Sequence, residues 1–295
     1  MRAFVVAIAG LLGLLLTPPV ASANPPVRQV VIDGDAASVF APARADRRLP
    51  VALVLPGANV GRRYYAGFAS ALADYGFVVV VAEHRVLPFA EVTLPSEHQL
   101  NAVVAWARAE AADRNSALGR MIDPGTLVVA GHSYGAAAAL YAAADRCQPP
   151  FCFGLSFTHP AELRAVVGHG ANTTVGAAVD PVAVKGIPVM FVNGTNDGVS
   201  EPAEARESFA RLTGAPAAVF VDLLGANHFG LTDANNPPGA APDPLAATTA
   251  WPDTIATTAR WTAMWFLASL GDEAARDFVY GAGAALDVAV AVERR

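Results

Sequence analysis

An α/β architecture, a mostly parallel sheet with helices packed on both faces, follows from three features of the sequence. Runs such as Val51-Ala52-Leu53-Val54-Leu55 are apolar at every position, the pattern of a strand covered on both faces rather than on one. Such runs take turns with segments of helical period along most of the chain, which implies parallel strands joined by crossover helices. The composition agrees. Of 295 residues, 54% are hydrophobic and 16% charged, enough apolar surface for a large core and too little charge for a disordered chain.

The elements follow in order. Residues 27–32 read as a strand, closed by the turn Asp33-Gly34-Asp35, with 36–40 as its hairpin partner. The run at 51–55 ends at Pro56-Gly57. Residues 64–75 (YYAGFASALADY) have helical period, Gly76 is their stop signal, and 77–82 return to strand. Ser96 offers an N-cap for a helix over 96–113, whose apolar stripe is Leu100, Val103, Val104 and Ala107. A strand at 126–130 and a helix at 134–145 come next, then strands at 164–168 and 188–192. Residues 201–212 form a helix with acids in its first turn, where the helix dipole favours them. A strand at 217–223 and a long helix at 254–270 complete the alternation. The Pro/Ala/Asn-rich stretch 232–252 reads as one surface loop, and the apolar tail 278–292 fits either an edge strand or a helix. No repeat or linker divides residues 24–295, which are expected to form one domain.

The first residues have another character. Met1-Arg2 gives a positive start, residues 4–16 are almost wholly apolar, and Ala21-Ser22-Ala23 is a small-residue cleavage site, the layout of a secretory signal. The run is short for a membrane span and is broken by Thr17-Pro18-Pro19, so removal after Ala23 is expected in preference to an uncleaved anchor. A secreted or periplasmic, monomeric protein is the expectation. Net charge is −6 with no basic block, which gives no footing for nucleic acid or an anionic membrane surface as partner. In an oxidising compartment, Cys147 and Cys152 are expected to bridge. No histidine or further cysteine accompanies them at ligand spacing in the sequence, so no metal site is expected there.

The chemistry centres on Gly131-His132-Ser133-Tyr134-Gly135, which follows the strand at 126–130 and opens a helix. That is the context of a nucleophile elbow, where a serine sits on a sharp turn and glycines two residues either side avoid neighbouring backbone. A serine hydroxyl needs a histidine base, and the base needs a carboxylate to orient it. The strand ending at Val192 is followed by Asn193-Gly194-Thr195-Asn196-Asp197-Gly198, and the strand ending at Leu223 by Gly225-Ala226-Asn227-His228-Phe229-Gly230. Asp197 and His228 therefore fall in loops in the chain order Ser, acid, His. Asp222 lies within a strand and Glu201 starts a helix, so neither displaces Asp197. Each residue alone has a bland reading, a turn aspartate or a surface histidine; together they make a triad.

Oxyanion donors are expected from the backbone N–H of Tyr134 and from the loop Pro56-Gly57-Ala58-Asn59, with Ala58 first and Asn59 second. Asn59, His132, His169 and Phe229 are candidate pocket residues. No partner is assigned to His84, His98 or His159.

At these motifs the sequence resembles the α/β-hydrolase superfamily, near its dienelactone hydrolase-like, chlorophyllase-like and bacterial cutinase-like serine esterases. The resemblance covers residues 51–270 and rests on Pro56-Gly57-Ala58, Gly131-His132-Ser133-Tyr134-Gly135, Asn193-Gly194-Thr195-Asn196-Asp197 and Gly225-Ala226-Asn227-His228-Phe229. It implies an α/β-hydrolase fold without a large cap domain, with residues 86–95 and 232–252 as a partial roof, and carboxylic ester hydrolysis without cofactor. Departures are visible. Serine stands where dienelactone hydrolases have cysteine, and Ala58 and His169-Gly170-Ala171-Asn172 stand where cutinase-like enzymes carry aromatic residues. These shift the expected substrate from polyester toward short-acyl or lipid-like esters. The same residues would serve an acyltransferase or amidase, and a catalytically inactive binding protein of this fold is the alternative from another class.

Overall fold

The computed structural model describes residues 27–86, 92–148, 151–152, 156–176 and 178–295. The expected signal, residues 1–23, lies outside them, as do residues 87–91 of the loop expected above the site.

Nine strands form one sheet: β1 (Arg28–Ile32), β2 (Asp35–Phe40), β3 (Leu49–Leu55), β4 (Val78–Ala82), β5 (Ile122–His132), β6 (Leu163–His169), β7 (Val189–Gly194), β8 (Ala218–Leu223) and β9 (Val290–Arg294). Their spatial order is β1-β2-β4-β3-β5-β6-β7-β8-β9. The run from β4 to β8 is parallel throughout, whereas β2 is antiparallel to both β1 and β4, and β9 is antiparallel to β8. The architecture is thus α/β with a large, mostly parallel sheet. No helix among the described residues is long and apolar enough to cross a membrane.

Side-chain alternation along the strands divides the core in two. Val51, Leu53 and Leu55 of β3 face one layer, and Ala52 and Val54 face the other. The first layer is covered by α2 (His98–Ala112), α3 (Tyr134–Ala143) and α4 (Pro202–Ala210), through residues such as Leu100, Leu140 and Phe209. The second is covered by α1 (Ala66–Asp74) and α5 (Trp251–Ser269), which bury Phe68, Leu72, Trp261 and Trp265 completely or nearly so. Strands apolar at every position are what this two-sided burial requires.

Two departures have local causes. The helix α5 starts at Trp251, three residues earlier than its apolar period indicates, because Pro252 sits in the first turn, where its missing N–H removes no hydrogen bond. The apolar tail realises both alternatives: short helical turns over Phe278–Ala282 and Gly283–Leu286, then β9 at the sheet edge.

The connectivity places a crevice. The chain leaves β3 toward β4 on one side and leaves β5 toward β6 on the other. Strand order reverses between β3 and β5, and in open α/β sheets ligands bind outside the carboxyl ends of the strands at such a reversal.

Candidate active site

Ser133 is the single residue between β5 and α3, with φ 53° and ψ −120°. A side-chain-bearing residue pays roughly 1–3 kcal/mol for such a sparsely allowed conformation, so its surroundings must enforce it. The Ser133 N–H donates to the His169 carbonyl at 2.8 Å, and its own carbonyl accepts from Ala136 and Ala137 at 2.9 and 3.1 Å. The flanking glycines make the turn sterically possible. A Cβ on Gly131 would lie 2.1 Å from the Gly135 carbonyl oxygen, and one on Gly135 would lie 2.2 Å from that of Leu55. The turn therefore packs directly onto the end of β3.

Asp197 and His228 meet beside this turn. The His228 Nδ1–H donates to Asp197 Oδ2 at 2.8 Å, and the two side chains are 3% and 1% exposed. Asp197 Oδ1 accepts the backbone N–H groups of Val199 and Ser200 at 2.9 and 2.7 Å, so both carboxylate oxygens are held. With the Nδ1 proton given to Asp197, the neutral imidazole presents an Nε2 lone pair, the form a general base needs. Gly170 underlies the pair: a Cβ there would come within 2.9 Å of His228 Nδ1 and 3.2 Å of Asp197 Oδ2. Among the described residues no hydrogen bond joins Ser133 Oγ to His228, whose ring is held through Nδ1 by Asp197.

A second buried network lies beside Ser133 and the Asp197–His228 pair. The Gly57 N–H donates to Tyr65 Oη at 2.8 Å, Tyr65 O–H donates to His132 Nδ1 at 2.9 Å, and His132 Nε2–H donates to the His228 carbonyl at 2.9 Å. A carbonyl can only accept, so Nε2 carries a proton, and a neutral His132 then accepts the Tyr65 O–H at Nδ1. Burial, with the neighbouring His228 and His169, holds its pKa well below the ordinary histidine value. Burial also brings His169 down to about 3.

The pocket on which Ser133 opens has a volume of about 430 Å³ and is walled in part by Ala58, Tyr134, Tyr141, Asn172, Thr173 and Glu97. Ala58 and Tyr134, the expected oxyanion donors, thus share it with Ser133. The four expected pocket residues are not among its described walls. Phe229 packs edge-on against both the His132 and the His228 rings, and His169 bonds Thr262 in the core. Asn59, in left-handed conformation at φ 58°, turns its side chain to accept the Thr93 N–H at 2.8 Å. The aromatic and imidazole bulk of these residues belongs here to the buried core. The stretch 232–252 is likewise a buttress, with none of its residues among the described walls.

Glu97, Asp243, Tyr65 and His84 carry little sequence signal. Asp243 accepts the N–H groups of His228 (2.7 Å), Gly198 (3.1 Å) and Leu245 (2.8 Å), so it ties the base loop to the acid loop. Its one hint is an aspartate between prolines, a common turn. Cys147 and Cys152 are joined in a disulfide with Cα atoms 5.5 Å apart. The sequence spacing hides a histidine beside them: His98 Nε2 lies 3.2 Å from Cys152 Sγ. Tied in a disulfide, the sulfurs are no thiolate ligands. Glu97 Oε1 accepts the Gln148 N–H at 3.0 Å, while Oε2 faces Cys147 Sγ at 3.2 Å. Burial pushes this carboxyl up to about 7 against the pull of the Gln148 N–H. His84 and His159 also gain partners, Glu83 with the Gly57 carbonyl and Asp145 respectively. Asp222 is paired with Arg206, away from His228.

The arrangement offers a strained serine on the wall of an open pocket and, buried beside its turn, an imidazole oriented by a carboxylate. Against known proteins, the sequence matches no protein-family model and no curated relative.

Proposed function

We propose that this chain is a serine hydrolase of the α/β-hydrolase superfamily that cleaves carboxylic esters through an acyl-enzyme. The observation that carries the reading is the buried Asp197–His228 pair set beside a serine held at positive φ between strand and helix. The strand order supports it too, because the turn lies at the β3/β5 reversal where substrates of such sheets bind.

In this reading Ser133 Oγ attacks the ester carbonyl as His228 Nε2 takes its proton. Asp197 keeps the imidazole in the required tautomer and stabilises the imidazolium. The oxyanion of the tetrahedral intermediate receives the N–H groups of Ala58 and Tyr134, aided by the positive end of α3. His228 returns the proton to the departing alcohol, and water releases the acyl group by the same steps in reverse. Every group required is a side chain or backbone amide of the protein.

A pocket of about 430 Å³ with hydroxyl, amide and carboxyl groups in its wall favours short-acyl esters over long lipid chains. The signal-like start of the chain and the Cys147–Cys152 disulfide support an exported protein. The test is a series of p-nitrophenyl esters of increasing acyl length, with Ser133→Ala run in parallel. Turnover greatest for short chains and lost in the variant is expected; activity that survives in Ser133→Ala refutes the mechanism.

A further inference from the structure

The weakest point of an oxyanion site built on Pro56-Gly57-Ala58 is the peptide between Gly57 and Ala58. Glycine adopts several backbone conformations at little cost, so this peptide plane can rotate unless something holds it. A trans peptide directs its C=O and its N–H to opposite sides. The orientation of the Ala58 N–H is therefore set by whatever grips the Gly57 carbonyl.

That carbonyl accepts two donors. The Val60 N–H reaches it at 3.0 Å within the turn, and His84 Nε2–H reaches it at 2.6 Å from the loop after β4. The preceding peptide is gripped as well, because the Gly57 N–H donates to Tyr65 Oη. The Ala58 N–H itself has no acceptor among the described residues, and Ala58 lines the pocket with Ser133. His84 is 6% exposed and anchored in turn. Its Nδ1 lies 3.1 Å from Glu83 Oε1, and Glu83 Oε2 accepts Arg62 Nη1 at 2.7 Å. Burial acts to raise Glu83, but the hydrogen bonds from His84 and Arg62 outweigh it and bring this carboxyl down to about 2, so the anchor stays ionised.

We infer that His84 is a positioning residue for the oxyanion site: it grips the Gly57 carbonyl and so aims the Ala58 N–H at the oxygen of the tetrahedral intermediate. The inference rests on Ser133 being the nucleophile of an ester hydrolase. His84 touches neither substrate nor Ser133, and its effect passes through one peptide plane. The consequence is specific. The amide aimed by His84 bonds the charged intermediate more strongly than the neutral ester, so loss of His84 lowers kcat and leaves KM nearly unchanged.

The experiment compares His84→Met, which keeps bulk without a donor, with His84→Gln, whose amide N–H can replace the imidazole donor. Steady-state hydrolysis of a short p-nitrophenyl ester is measured with inhibition by a phenylboronic acid, which forms a tetrahedral adduct on the nucleophile. His84→Met is expected to lower kcat by about 10- to 100-fold, part of the loss seen when an oxyanion donor is removed outright. KM should stay within about twofold, boronate affinity should weaken in step with kcat, and His84→Gln should recover most of both. Glu83→Gln, at a partly exposed position, should move kcat the same way to a smaller extent and serves if His84→Met does not fold. Wild-type kcat and boronate affinity in His84→Met, or in Glu83→Gln where only that variant folds, overturn the role of His84 alone. A wild type that neither turns over ester nor binds boronate overturns the esterase reading and this inference with it.

Discussion

Replacing Glu97 by glutamine should remove a pH dependence of stability that the structure builds into the pocket wall. Glu97 is 2% exposed, one carboxyl oxygen holds the Gln148 N–H, and the other faces a disulfide sulfur that has no proton to give. Its pKa rises from an ordinary 4.5 to about 7, chiefly through burial. At about 1.4 kcal/mol per unit, such a shift is worth on the order of 3 kcal/mol. The sign is fixed by which state loses its proton first. Below pH 4.5 the carboxyl is protonated in both states and costs nothing. From there to about 7 the unfolded chain ionises while the folded protein does not, so stability falls as pH rises, and above about 7 the loss is complete. Glutamine keeps an acceptor for the Gln148 N–H and cannot ionise. Urea unfolding followed by tryptophan fluorescence should find the two proteins similar near about pH 4.5, with the variant ahead by up to about 3 kcal/mol near about pH 8. At roughly 2–4 °C per kcal/mol, thermal melting should show the same divergence. Parallel stability curves across this range, or a wild type that gains on the variant as pH rises, would show that Glu97 is not held protonated by burial.

Three further outcomes follow from the site geometry. Asp197→Asn should retain the fold but lower kcat/KM for a short ester on the order of 10⁴-fold, because an amide no longer enforces the Nδ1–H tautomer of His228. Gly135→Ala should cost several kcal/mol of stability or prevent folding, since its Cβ would sit 2.2 Å from the Leu55 carbonyl, whereas Gly61→Ala, with φ −59° and ψ 146° open to any residue and no atom nearer than 3.9 Å, should stay within about 0.5 kcal/mol in the same melting assay. Asp243→Ala strands three backbone donors, including the His228 N–H, and should cost about 1.5–3 kcal/mol in thermal melting with a fall in kcat.

The sheet was legible because burial on both faces leaves continuous apolar runs, and the parallel order follows from their alternation with helices. Ser133, Asp197 and His228 were legible as residues at the ends of strands, in an order that only a shared edge makes meaningful. The support behind them was hidden for physical reasons. Tyr65 lies in an apolar helical stretch and reads as core, yet its hydroxyl links Gly57 to His132. His84 follows a strand with no motif around it, and its importance exists only in the approach of two loops. Asp243 sits in a stretch whose composition says turn and whose contacts are fixed by the fold alone. His98 and Cys152, 54 residues apart, meet only in space. His132, His169 and Phe229, expected in the pocket, are absent from the described walls of the one that Ser133 lines, because all three are buried and pack within the core.

In the proposed mechanism Ser133 is an activated nucleophile, with His228 as its base and Asp197 orienting that base. A fluorophosphonate probe, which labels only activated serines, tests it most directly when the labelled peptide is identified by mass spectrometry. One adduct is expected, on Ser133, absent in Ser133→Ala and strongly slowed in His228→Ala. A folded wild type that takes no label, or takes it on another serine, contradicts the account.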